Sequence, residues 1–584
     1  MPLIGTAGHV DHGKSTLIQR ITGRDPDRWE EEKRRGLTID LGFAWTTLPD
    51  GTEVSFVDVP GHERYLKNML AGVEAIDVAL LVVAADEGWM PQSEEHLAVL
   101  DLLDVSRGVV ALTKVDAVDA DLAELAQAEV ADRLVGSRLE AAPIHRVSGV
   151  TGEGVDGLLD DLAGLVRGEP DITGRARLWV DRSFTIAGAG TVVTGSLLGA
   201  PLSVDDTVEI YPRGLRGRIR ELQSHEQSHD TVEPGRRVAL NLGGVDHHQV
   251  ERGDMLGIPG QWELSNRFAV RLRPARFVDE LAQRGDYQIH IGSSAQRVAM
   301  VGLDDGVAVL QVHRPLPLAV GDRFILRDTG RHLVVGGGRV LDPAPGRTRT
   351  ALAVSRDIEP DAIVHDVAQR LLVSRRIDRI SRLMAHSGGG SPTDAVIIGD
   401  RALDPSLVDE LERRAVTMVE AVHTAHPLRP GMPLATLAER LRVEADIVEV
   451  LVERSEKLER RGPDVALPEH RAGLSAKQES AWKKARDQLE ESLAVPDDTK
   501  LGLDPEILHL KVRSGELVRV SPSLVYLPAQ IEALKETLAN LGAEFTVAEF
   551  RDAAGLSRKY AVPILEWSDK EGLTVRRGDV RRLR

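Results

Sequence analysis

The chain has 584 residues, a formal net charge of −18, a hydrophobic fraction of 42% and no cysteine. This length suits roughly three to five domains. The acidic balance excludes a uniformly basic nucleic-acid-binding protein, so any RNA contact must come from local basic patches. The lack of cysteine excludes disulfides, thiolate metal sites and a cysteine nucleophile. No signal peptide and no membrane-spanning run is predicted, so we expect a cytoplasmic protein without membrane contact. We also expect the protein to act as a monomer.

The first informative stretch is Gly8-His9-Val10-Asp11-His12-Gly13-Lys14-Ser15, which fits the phosphate-binding pattern G-x-x-x-x-G-K-[ST]. A mostly apolar run before it predicts a buried strand, and residues 16–22 predict the start of a helix. In this context backbone N–H groups turn towards phosphate oxygens, and the helix N-terminus adds partial positive charge. The nucleotide contacts predicted here are Asp11, His12, Gly13, Lys14, Ser15 and Thr16. Lys14 is expected to reach the outer phosphates and Ser15 to ligate Mg2+.

Short apolar runs alternate with amphipathic stretches up to about residue 168. The runs at 54–59, 78–84 and 108–112 are rich in β-branched residues and predict strands buried on both faces. Amphipathic stretches at 93–103 and 121–134 predict helices. This alternation predicts a parallel α/β domain over residues 1–170.

Further motifs follow in the order that a GTPase needs. Asp58 closes a predicted strand and can hold Mg2+ through water, while the Gly61 amide can meet the γ-phosphate. The segment 34–39 supplies Thr38 for Mg2+ and the γ-phosphate. These residues, with the phosphate loop, predict GTP and GDP as ligands together with Mg2+.

A second group of motifs predicts selectivity for guanine. In Thr113-Lys114-Val115-Asp116 the Asp116 carboxylate can accept from guanine N1 and its exocyclic amine, a donor pair that adenine lacks. The Lys114 stem can lie over the base. The pair Ser148-Gly149, after another predicted strand, can present a backbone amide to guanine O6.

From about residue 176 the helical pattern gives way to short alternating strands separated by Gly, Pro and Asp. They predict two β-barrels, over residues 174–262 and 263–346. The glycine-rich stretch 188–195 is not a dinucleotide fingerprint, because no helix follows it; it predicts a tight turn between barrel strands.

Helical patterns return after a proline-rich joint at 342–347. Residues 350–584 predict about four winged-helix modules, with breaks near residues 405, 474 and 528. The last module, about 529–584, shows three helices followed by a hairpin with Gly578 and Asp579 near its tip. Five arginines against one acid between residues 572 and 584 give this end local positive charge on an acidic chain. A solvated basic tail is the alternative explanation.

The stretches G-H-V-D-H-G-K-S, R-G-L-T-I-D and D-V-P-G-H-E resemble the translational GTPases related to elongation factor Tu. The motif T-K-x-D and the sequence R-G-L-T-I-D-L-G-F-A resemble those of one branch of this family, the selenocysteine-specific elongation factors. The resemblance implies that His62 positions the attacking water, with Lys14 and Thr38 completing the catalytic group. Thr113 departs from the asparagine usual in the family, which removes an amide contact near the base.

The resemblance also implies partners. Asp181, Arg182 and Arg237 match the family's selenocysteine pocket, where fixed positive charge would select an anionic selenol over a serine hydroxyl. The final module looks like the one that binds an mRNA hairpin in bacterial members. The candidate mRNA contacts are Arg558, Lys559, Arg576, Arg577, Arg581 and Arg582. The chain is therefore predicted to be a GTPase that delivers selenocysteinyl-tRNA to the ribosome at reassigned UGA codons, next to an mRNA hairpin.

Two other functions remain open at this point. One is an ordinary elongation or initiation GTPase that carries an unrelated C-terminal adaptor. The other is an mRNA-binding regulator with a degenerate GTPase domain, against which the intact Lys14, Ser15, Thr38, Asp58 and His62 argue.

Overall fold

The computed structural model describes residues 2–25, 42–58, 76, 78–166, 174–188, 190–471, 473–474 and 476–584. The chain divides into two compact units, residues 1–405 and residues 406–584. The predicted multidomain fold class is confirmed: the first unit holds an α/β domain and two β-barrels, and the second holds winged-helix modules. Among the described helices, none combines the length and the apolar character that a membrane crossing requires.

The α/β domain is built on a six-stranded sheet. Its strands are β1 (Leu3–Ala7), β2 (Gly42–Thr47), β3 (Glu53–Asp58), β4 (Val78–Ala84), β5 (Gly108–Thr113) and β6 (Ile144–Arg146). Their order is β2-β3-β1-β4-β5-β6, and only the β2–β3 pair is antiparallel. Every residue of β1, β4 and β5 is buried, because both faces of a parallel sheet are covered.

Helices pack on the two faces of this sheet. They are α1 (Lys14–Thr22), α2 (Pro91–Leu102), α3 (Ala120–Leu134) and α4 (Val155–Leu165). The apolar side chains form two clusters, one with α2 and α3 and the other with α1 and α4. The parallel strands therefore end at one edge, where the loops after β1, β5 and β6 meet.

The first barrel follows the α/β domain. Its strands are β7 (Arg177–Ile186), β8 (Gly190–Leu198), β9 (Leu202–Ser203), β10 (Thr207–Tyr211), β11 (Leu215–Ser224), β12 (Gln227–His229), β13 (Thr231–Val232), β14 (Arg236–Gly243) and β15 (Met255–Gly257). The main sheet runs β10-β15-β7-β8-β14-β11-β12, and an additional β10–β11 pairing closes it. The glycine-rich stretch is the turn between β7 and β8 and the start of β8, with Gly188 and Gly190 at positive φ.

The second barrel is closed and wholly antiparallel. Its strands are β16 (Leu264–Pro274), β17 (Tyr287–Ile291), β18 (Ser294–Asp304), β19 (Val307–Pro317), β20 (Arg323–Asp328) and β21 (Leu333–Asp342). A buried bidentate ion pair joins the two barrels, with Arg177 Nη1 and Nη2 lying 2.6 and 2.7 Å from the Asp322 carboxylate oxygens. Such a pair is stable only because both hydrogen bonds are made.

A small helical segment completes the first unit. It contains α5 (Thr348–Val354), α6 (Val364–Arg375), β22 (Ile377–Arg379), α7 (Ile380–Ser387), β23 (Val396–Ile398) and β24 (Arg401–Leu403). Its three strands form one sheet in the order β22-β24-β23. The segment packs against the second barrel through Val367, Leu371 and Leu341, which share one apolar cluster.

The second unit contains three successive modules of helices and short sheets. The first comprises α8 (Pro405–Ala425), β25 (Met432–Pro433), α9 (Leu434–Leu441), α10 (Ala445–Arg454), β26 (Glu459–Arg461) and β27 (Asp464–Ala466). The next comprises α11 (Ala476–Glu490), α12 (Pro505–Arg513), β28 (Val518–Ser521) and β29 (Leu524–Tyr526). The last comprises α13 (Pro528–Asn540), β30 (Glu544–Thr546), α14 (Val547–Ala553), α15 (Arg558–Lys570), β31 (Thr574–Arg577) and β32 (Val580–Leu583).

The wing of the last module is fixed to its third helix by a buried polar contact. Asp569, in the last turn of α15, accepts hydrogen bonds from Thr574 Oγ1 at 2.7 Å and from Arg581 Nε at 2.9 Å. Arg581 is only 4% exposed. Its guanidinium therefore depends on the Asp569 carboxylate for charge compensation.

The contact between Asp569 and Arg581 is predicted to stabilise the wing of the last module. Asp569→Ala should destabilise the wing by about 3 kcal/mol, because it leaves a buried guanidinium without its carboxylate. Hydrogen exchange of the β31–β32 amides in the full chain would measure the effect. Glu571→Ala, which removes an exposed carboxylate two residues away, is the matched control. Equal exchange rates in the two variants would contradict the assigned role.

Candidate functional site

The phosphate loop takes its shape from two glycines. Gly8 has a φ of 132°, and a Cβ there would lie 2.1 Å from the Val82 carbonyl oxygen. Gly13 has a φ of 80° immediately before α1. Side chains at these positions would be strained or would collide with β4, so the loop needs glycine at both.

The Lys14 side chain forms hydrogen bonds within the phosphate loop. It is buried, and its Nζ donates to the carbonyl oxygens of Gly8 at 3.1 Å and His9 at 2.6 Å. The ammonium therefore lies within the loop itself, where phosphate oxygens meet the helix N-terminus in a site of this kind.

Helix α2 orients two amides of the same loop. The Gly8 N–H donates to His96 Nδ1 at 2.8 Å, and the Val10 N–H donates to Gln92 Oε1 at 3.0 Å. Neither side chain was predicted from the sequence. Their four-residue spacing places the two side chains on one face of α2, but nothing in that spacing indicates contact with the phosphate loop.

Two histidines at this site are held neutral. Burial, with the nearby charges of Lys14 and His9, lowers the pKa of His96 to about 3. Burial, followed by the charge of His9, lowers the pKa of His12 to about 4. A neutral His96 keeps the Nδ1 lone pair that accepts from Gly8, so the loop geometry is independent of pH near neutrality.

The candidate Mg2+ ligands lie together. Ser15 Oγ is 2.6 Å from Asp58 Oδ2, and Thr6 Oγ1 donates to Asp58 Oδ1 at 2.8 Å. Asp58 is fully buried at the end of β3. Hydroxyl and carboxylate oxygens are the ligands that Mg2+ prefers, so this pair fits the ion.

Thr113 connects the guanine motif to the phosphate loop. Its buried hydroxyl donates to the His12 carbonyl at 2.7 Å. Threonine lacks the amide of the usual asparagine, yet this hydroxyl still ties β5 to the loop after β1. Although Thr113 replaces the usual asparagine, its hydroxyl thus keeps the guanine motif hydrogen-bonded to the phosphate loop.

The residues after Thr113 are partly or fully exposed at the protein surface. Lys114 has a φ of 57°, and its Nζ contacts Asp86 at 3.0 Å and Glu87 at 3.1 Å. Partial burial lowers the pKa of Lys114, but the hydrogen bonds to the two carboxylates outweigh burial and leave the pKa raised. Asp116 is exposed in the short 3-10 helix Val115–Ala117.

The loop after β6 approaches the start of α1. Ser148 is buried, and its Oγ accepts from the backbone N–H groups of Val150 at 3.2 Å and Thr151 at 3.0 Å. A Cβ on Gly149 would lie 3.2 Å from Thr16 Cγ2. The structure thus brings the phosphate loop and the Ser148-Gly149 pair together at one edge of the sheet. Three predicted residues, Thr38, Gly61 and His62, lie outside the described residues.

A second candidate site lies on the first barrel. Arg237 in β14 donates from Nε to Asp181 Oδ2 at 3.1 Å and from Nη2 to Asp181 Oδ1 and Thr194 Oγ1, each at 3.0 Å. The Phe43 ring of β2 covers the guanidinium, with 3.8 Å from Cζ to the ring centroid. Arg237 was expected as a fixed positive charge; the structure shows it paired with the mostly buried Asp181.

This arginine borders a cavity of about 220 Å3, the barrel cavity. Its walls come from β2 and β3 of the α/β domain and from the first barrel, and they include Phe43, Trp45, Arg182, His225 and Arg237. His225 joins the two walls, because its ring stacks on Trp45 and its Nε2 lies 2.9 Å from Ser55 Oγ. The sequence did not indicate the contribution of the α/β domain to this cavity.

The predicted mRNA contacts divide into two groups. Arg558, Lys559, Arg576, Arg577 and Arg582 are exposed. Among them, Lys559 Nζ lies 3.1 Å from Asp497 and Arg576 Nε donates to the Gly578 carbonyl at 3.2 Å. The prediction for Arg581 is corrected: its side chain is buried against Asp569 and is not presented to an RNA.

A guanine-nucleotide site of this kind, followed along the chain by two β-barrels, defines the class of the protein as a translational GTPase. A family model described as the elongation factor Tu GTP binding domain matches residues 1–167. The model of the selenocysteine-specific elongation factor beta-barrel domain matches residues 265–347. That of the elongation factor SelB winged helix matches residues 536–583.

Full-length relatives narrow this class. The selenocysteine-specific elongation factor of Desulfomicrobium baculatum is 33% identical, and the alignment covers 100% of both chains. That of Escherichia coli K12 is also 33% identical over 100% of this chain and 98% of the other. The crystal structure of a bacterial selenocysteine-specific elongation factor, EF-Sec, superimposes with a TM-score of 0.71 at 27% identity, covering 100% of both chains. The chain belongs to the family of selenocysteine-specific elongation factors, and it is a GTPase.

The hydrogen bond from Thr113 gives a prediction for nucleotide binding. Thr113→Val should weaken GTP binding roughly 5- to 150-fold, since losing the buried donor to the His12 carbonyl costs about 1–3 kcal/mol. Titration with a fluorescent GTP analogue measures this, and Thr113→Ser, which keeps the hydroxyl, is the control. Unchanged affinity in the valine variant would show that the link does not support the loop.

Proposed function

We propose that this protein delivers selenocysteinyl-tRNA to the ribosome at reassigned UGA codons in its GTP-bound form, while its last module holds an mRNA hairpin. The observation that carries the proposal is Arg237, which is paired with Asp181 and lines the barrel cavity in the domain that follows a GTPase domain. Binding both RNAs with one chain raises the effective concentration of the tRNA beside the codon.

GTP hydrolysis would depend mainly on positioning. Lys14 would bind the outer phosphates, while Gln92 and His96 hold the loop through the Val10 and Gly8 N–H groups and leave the other loop amides to donate to phosphate oxygens. Ser15, Asp58 and Thr38 are the residues proposed to hold Mg2+, which when bound neutralises charge on the phosphate oxygens. His62 is proposed to orient the attacking water, and the Gly61 amide to meet the γ-phosphate.

Guanine recognition would depend on Asp116 and the loop after β6. The exposed Asp116 carboxylate can accept from the two donors on the guanine edge. Lys114, held by Asp86 and Glu87, would place its stem along the base. Because the Ser148-Gly149 loop lies against Thr16, an amide there can face O6 while the phosphates lie on α1.

The arginine in the barrel cavity retains donors for an anionic ligand. Arg237 uses Nε and Nη2 on Asp181 and Thr194, and its Nη1 group has no hydrogen-bond acceptor among the described residues. A selenol is more acidic than a thiol, so selenocysteine carries negative charge at neutral pH. Nη1 of Arg237, with Arg182 on the same wall, can therefore favour a selenolate over a neutral serine hydroxyl.

Binding measurements with differently charged tRNAs test the function directly. The full chain should bind selenocysteinyl-tRNA more tightly than seryl-tRNA of the same sequence, and more tightly with GTP than with GDP. Filter binding of the labelled tRNAs gives these affinities. Equal affinity for the two aminoacyl groups would contradict selenocysteine delivery and favour an ordinary elongation factor.

Arg237 is predicted to supply much of that preference. Arg237→Ala should reduce the ratio of selenocysteinyl- to seryl-tRNA affinity roughly 10-fold, the size of one charge-assisted hydrogen bond. Arg237→Lys keeps the charge but loses the fork that grips Asp181, so its ratio should fall between the two. If both tRNA affinities fall equally, Arg237 contacts the tRNA without reading its amino acid.

The exposed face of the last wing is proposed to contact the hairpin. Arg577 and Arg582 lie on the opposite face of the hairpin from the buried Thr574 and Arg581. Arg558 and Lys559 lie at the start of α15. Helix and wing together form the surface that winged-helix modules commonly present to nucleic acid.

Removing the two outward arginines should weaken hairpin binding. Arg577→Ala with Arg582→Ala should flatten the salt dependence of binding by roughly 0.7–0.9 units per lost phosphate contact. Gel-shift titrations of the full chain at several salt concentrations measure this slope. Lys483→Ala with Lys484→Ala removes the same charge from exposed positions on α11 and should leave the slope unchanged. A parental slope in the arginine variant would assign the hairpin to another surface.

A further inference from the structure

Three consecutive side chains that can ligate a metal, Asp246, His247 and His248, lie in the loop between β14 and β15 of the first barrel. One ligand atom from each, a carboxylate oxygen or a ring nitrogen, lies within 4.8 Å of the other two. We refer to these residues as the histidine cluster. No other group of this kind occurs in the part of the chain that the structure describes, and no function discussed above uses it.

The backbone of the histidine cluster is held in place by hydrogen bonds. Asp246 caps the short 3-10 helix His247–Gln249, because its Oδ1 accepts from the His248 N–H at 2.9 Å. From the neighbouring strand β7, Ser183 Oγ donates to the His247 carbonyl at 3.1 Å. The three side chains therefore extend from a preformed turn, which reduces the conformational entropy that a bound ligand would have to remove.

The separations within the histidine cluster suit a small divalent ion. Asp246 Oδ1 lies 3.3 Å from His247 Nδ1, and the ring centroids of His247 and His248 are 3.7 Å apart. Zn2+ binds nitrogen and oxygen ligands at about 2.0–2.2 Å in a tetrahedral arrangement, which places neighbouring ligand atoms roughly 3.3–3.6 Å apart. The pair formed by Asp246 and His247 has this spacing, and the His248 nitrogen, within 4.8 Å of both, can reach it by a side-chain rotation.

The donor atoms favour zinc over the magnesium ion of the nucleotide site. Two imidazoles with one carboxylate form a ligand set that Zn2+ binds well, whereas Mg2+ prefers oxygen ligands. The hydrogen bond from the His248 N–H holds the pKa of the Asp246 carboxyl below its ordinary value. This ligand is therefore ionised at neutral pH and supplies the negative charge that a divalent ion requires.

The cluster borders a cavity on the same barrel. His247 and His248 line this space of about 710 Å3 together with Asp181, Arg182 and Arg252. Three protein ligands leave one tetrahedral position of a zinc ion open, as in zinc sites that keep a water molecule. That position would be accessible from the cavity, where two arginines favour water or an anionic group.

We propose that Asp246, His247 and His248 bind a zinc ion on the first barrel, with a water molecule as the fourth ligand. The ion joins three side chains of one loop and so stiffens the wall of the cavity beside Arg182. An ion pair between Asp246 and a protonated His247 is the alternative explanation of their contact, but it gives no role to the His248 ring that lies against His247. The site does not depend on the proposed delivery of selenocysteinyl-tRNA, because neither its ligands nor its test involves RNA.

Zinc titration of the untagged full chain tests the site, with Mg2+ and GDP present to fill the nucleotide site. In competition with a chromophoric chelator, the parental chain should bind one equivalent of Zn2+, which His247→Ala with His248→Ala abolishes. Asp246→Asn keeps the cap, because its side-chain oxygen still accepts from the His248 N–H, but it removes the charge, so zinc affinity should fall at least roughly 10-fold. His313→Ala with His509→Ala, which removes two exposed histidines elsewhere, is the matched control and should retain the equivalent.

Zinc-edge X-ray absorption of the loaded parental chain identifies the ligands. It should show two imidazoles and oxygen donors at about 2.0–2.2 Å. GDP binding equal to that of the parent shows that each variant is folded. Three outcomes would each overturn the proposal: no tight equivalent in the parental chain, an equivalent that persists in the double variant of the histidine cluster, or its loss in the control variant.

Discussion

The nucleotide site depends on one close backbone approach, that of Gly8 to the Val82 carbonyl, which leaves no room for a side chain. Because the loop passes so near β4, its amides come within reach of Gln92 and His96 on α2, and its His12 carbonyl comes within reach of Thr113. The loop backbone is thus held in place by neighbouring elements, so the loop amides that remain available to phosphate need little reorganisation on binding. The burial that keeps His96 neutral is part of the same arrangement.

Local patterns in the sequence were sufficient for the fold class, for the phosphate loop and for the strand that ends at Asp58. They were insufficient wherever the partner comes from a distant element. Residue separation explains this: Gly8 and His96 are 88 positions apart in the sequence, and the Phe43 that covers Arg237 belongs to another domain. A sequence motif contains the residues that contact a ligand. The groups that orient those residues are brought to them by tertiary packing, so they have no fixed spacing from the motif in the sequence.

The burial and ion pairing of individual arginines likewise could not be predicted from the sequence. Arg177, Arg237 and Arg581 each form an ion pair with a carboxylate, and each is largely or wholly withdrawn from solvent. A count of basic residues along the sequence therefore overstates the charge that an RNA would meet. The structure separates the arginines that hold the protein together from exposed arginines, such as Arg577 and Arg582, that can attract phosphate.

The burial of Arg581 limits the register shifts and insertions that the last wing can accommodate. Side chains alternate between the two faces of a strand, so a one-residue slip of β32 would exchange the faces of all its residues. Such a slip would move Arg581 into solvent and turn Arg582 inwards, where the Asp569 carboxylate would face a displaced partner. Insertions at the tip around Gly578 leave this pairing intact, whereas a single insertion within β32 would not. The wing can therefore vary in length at its tip while its arginines keep a constant orientation.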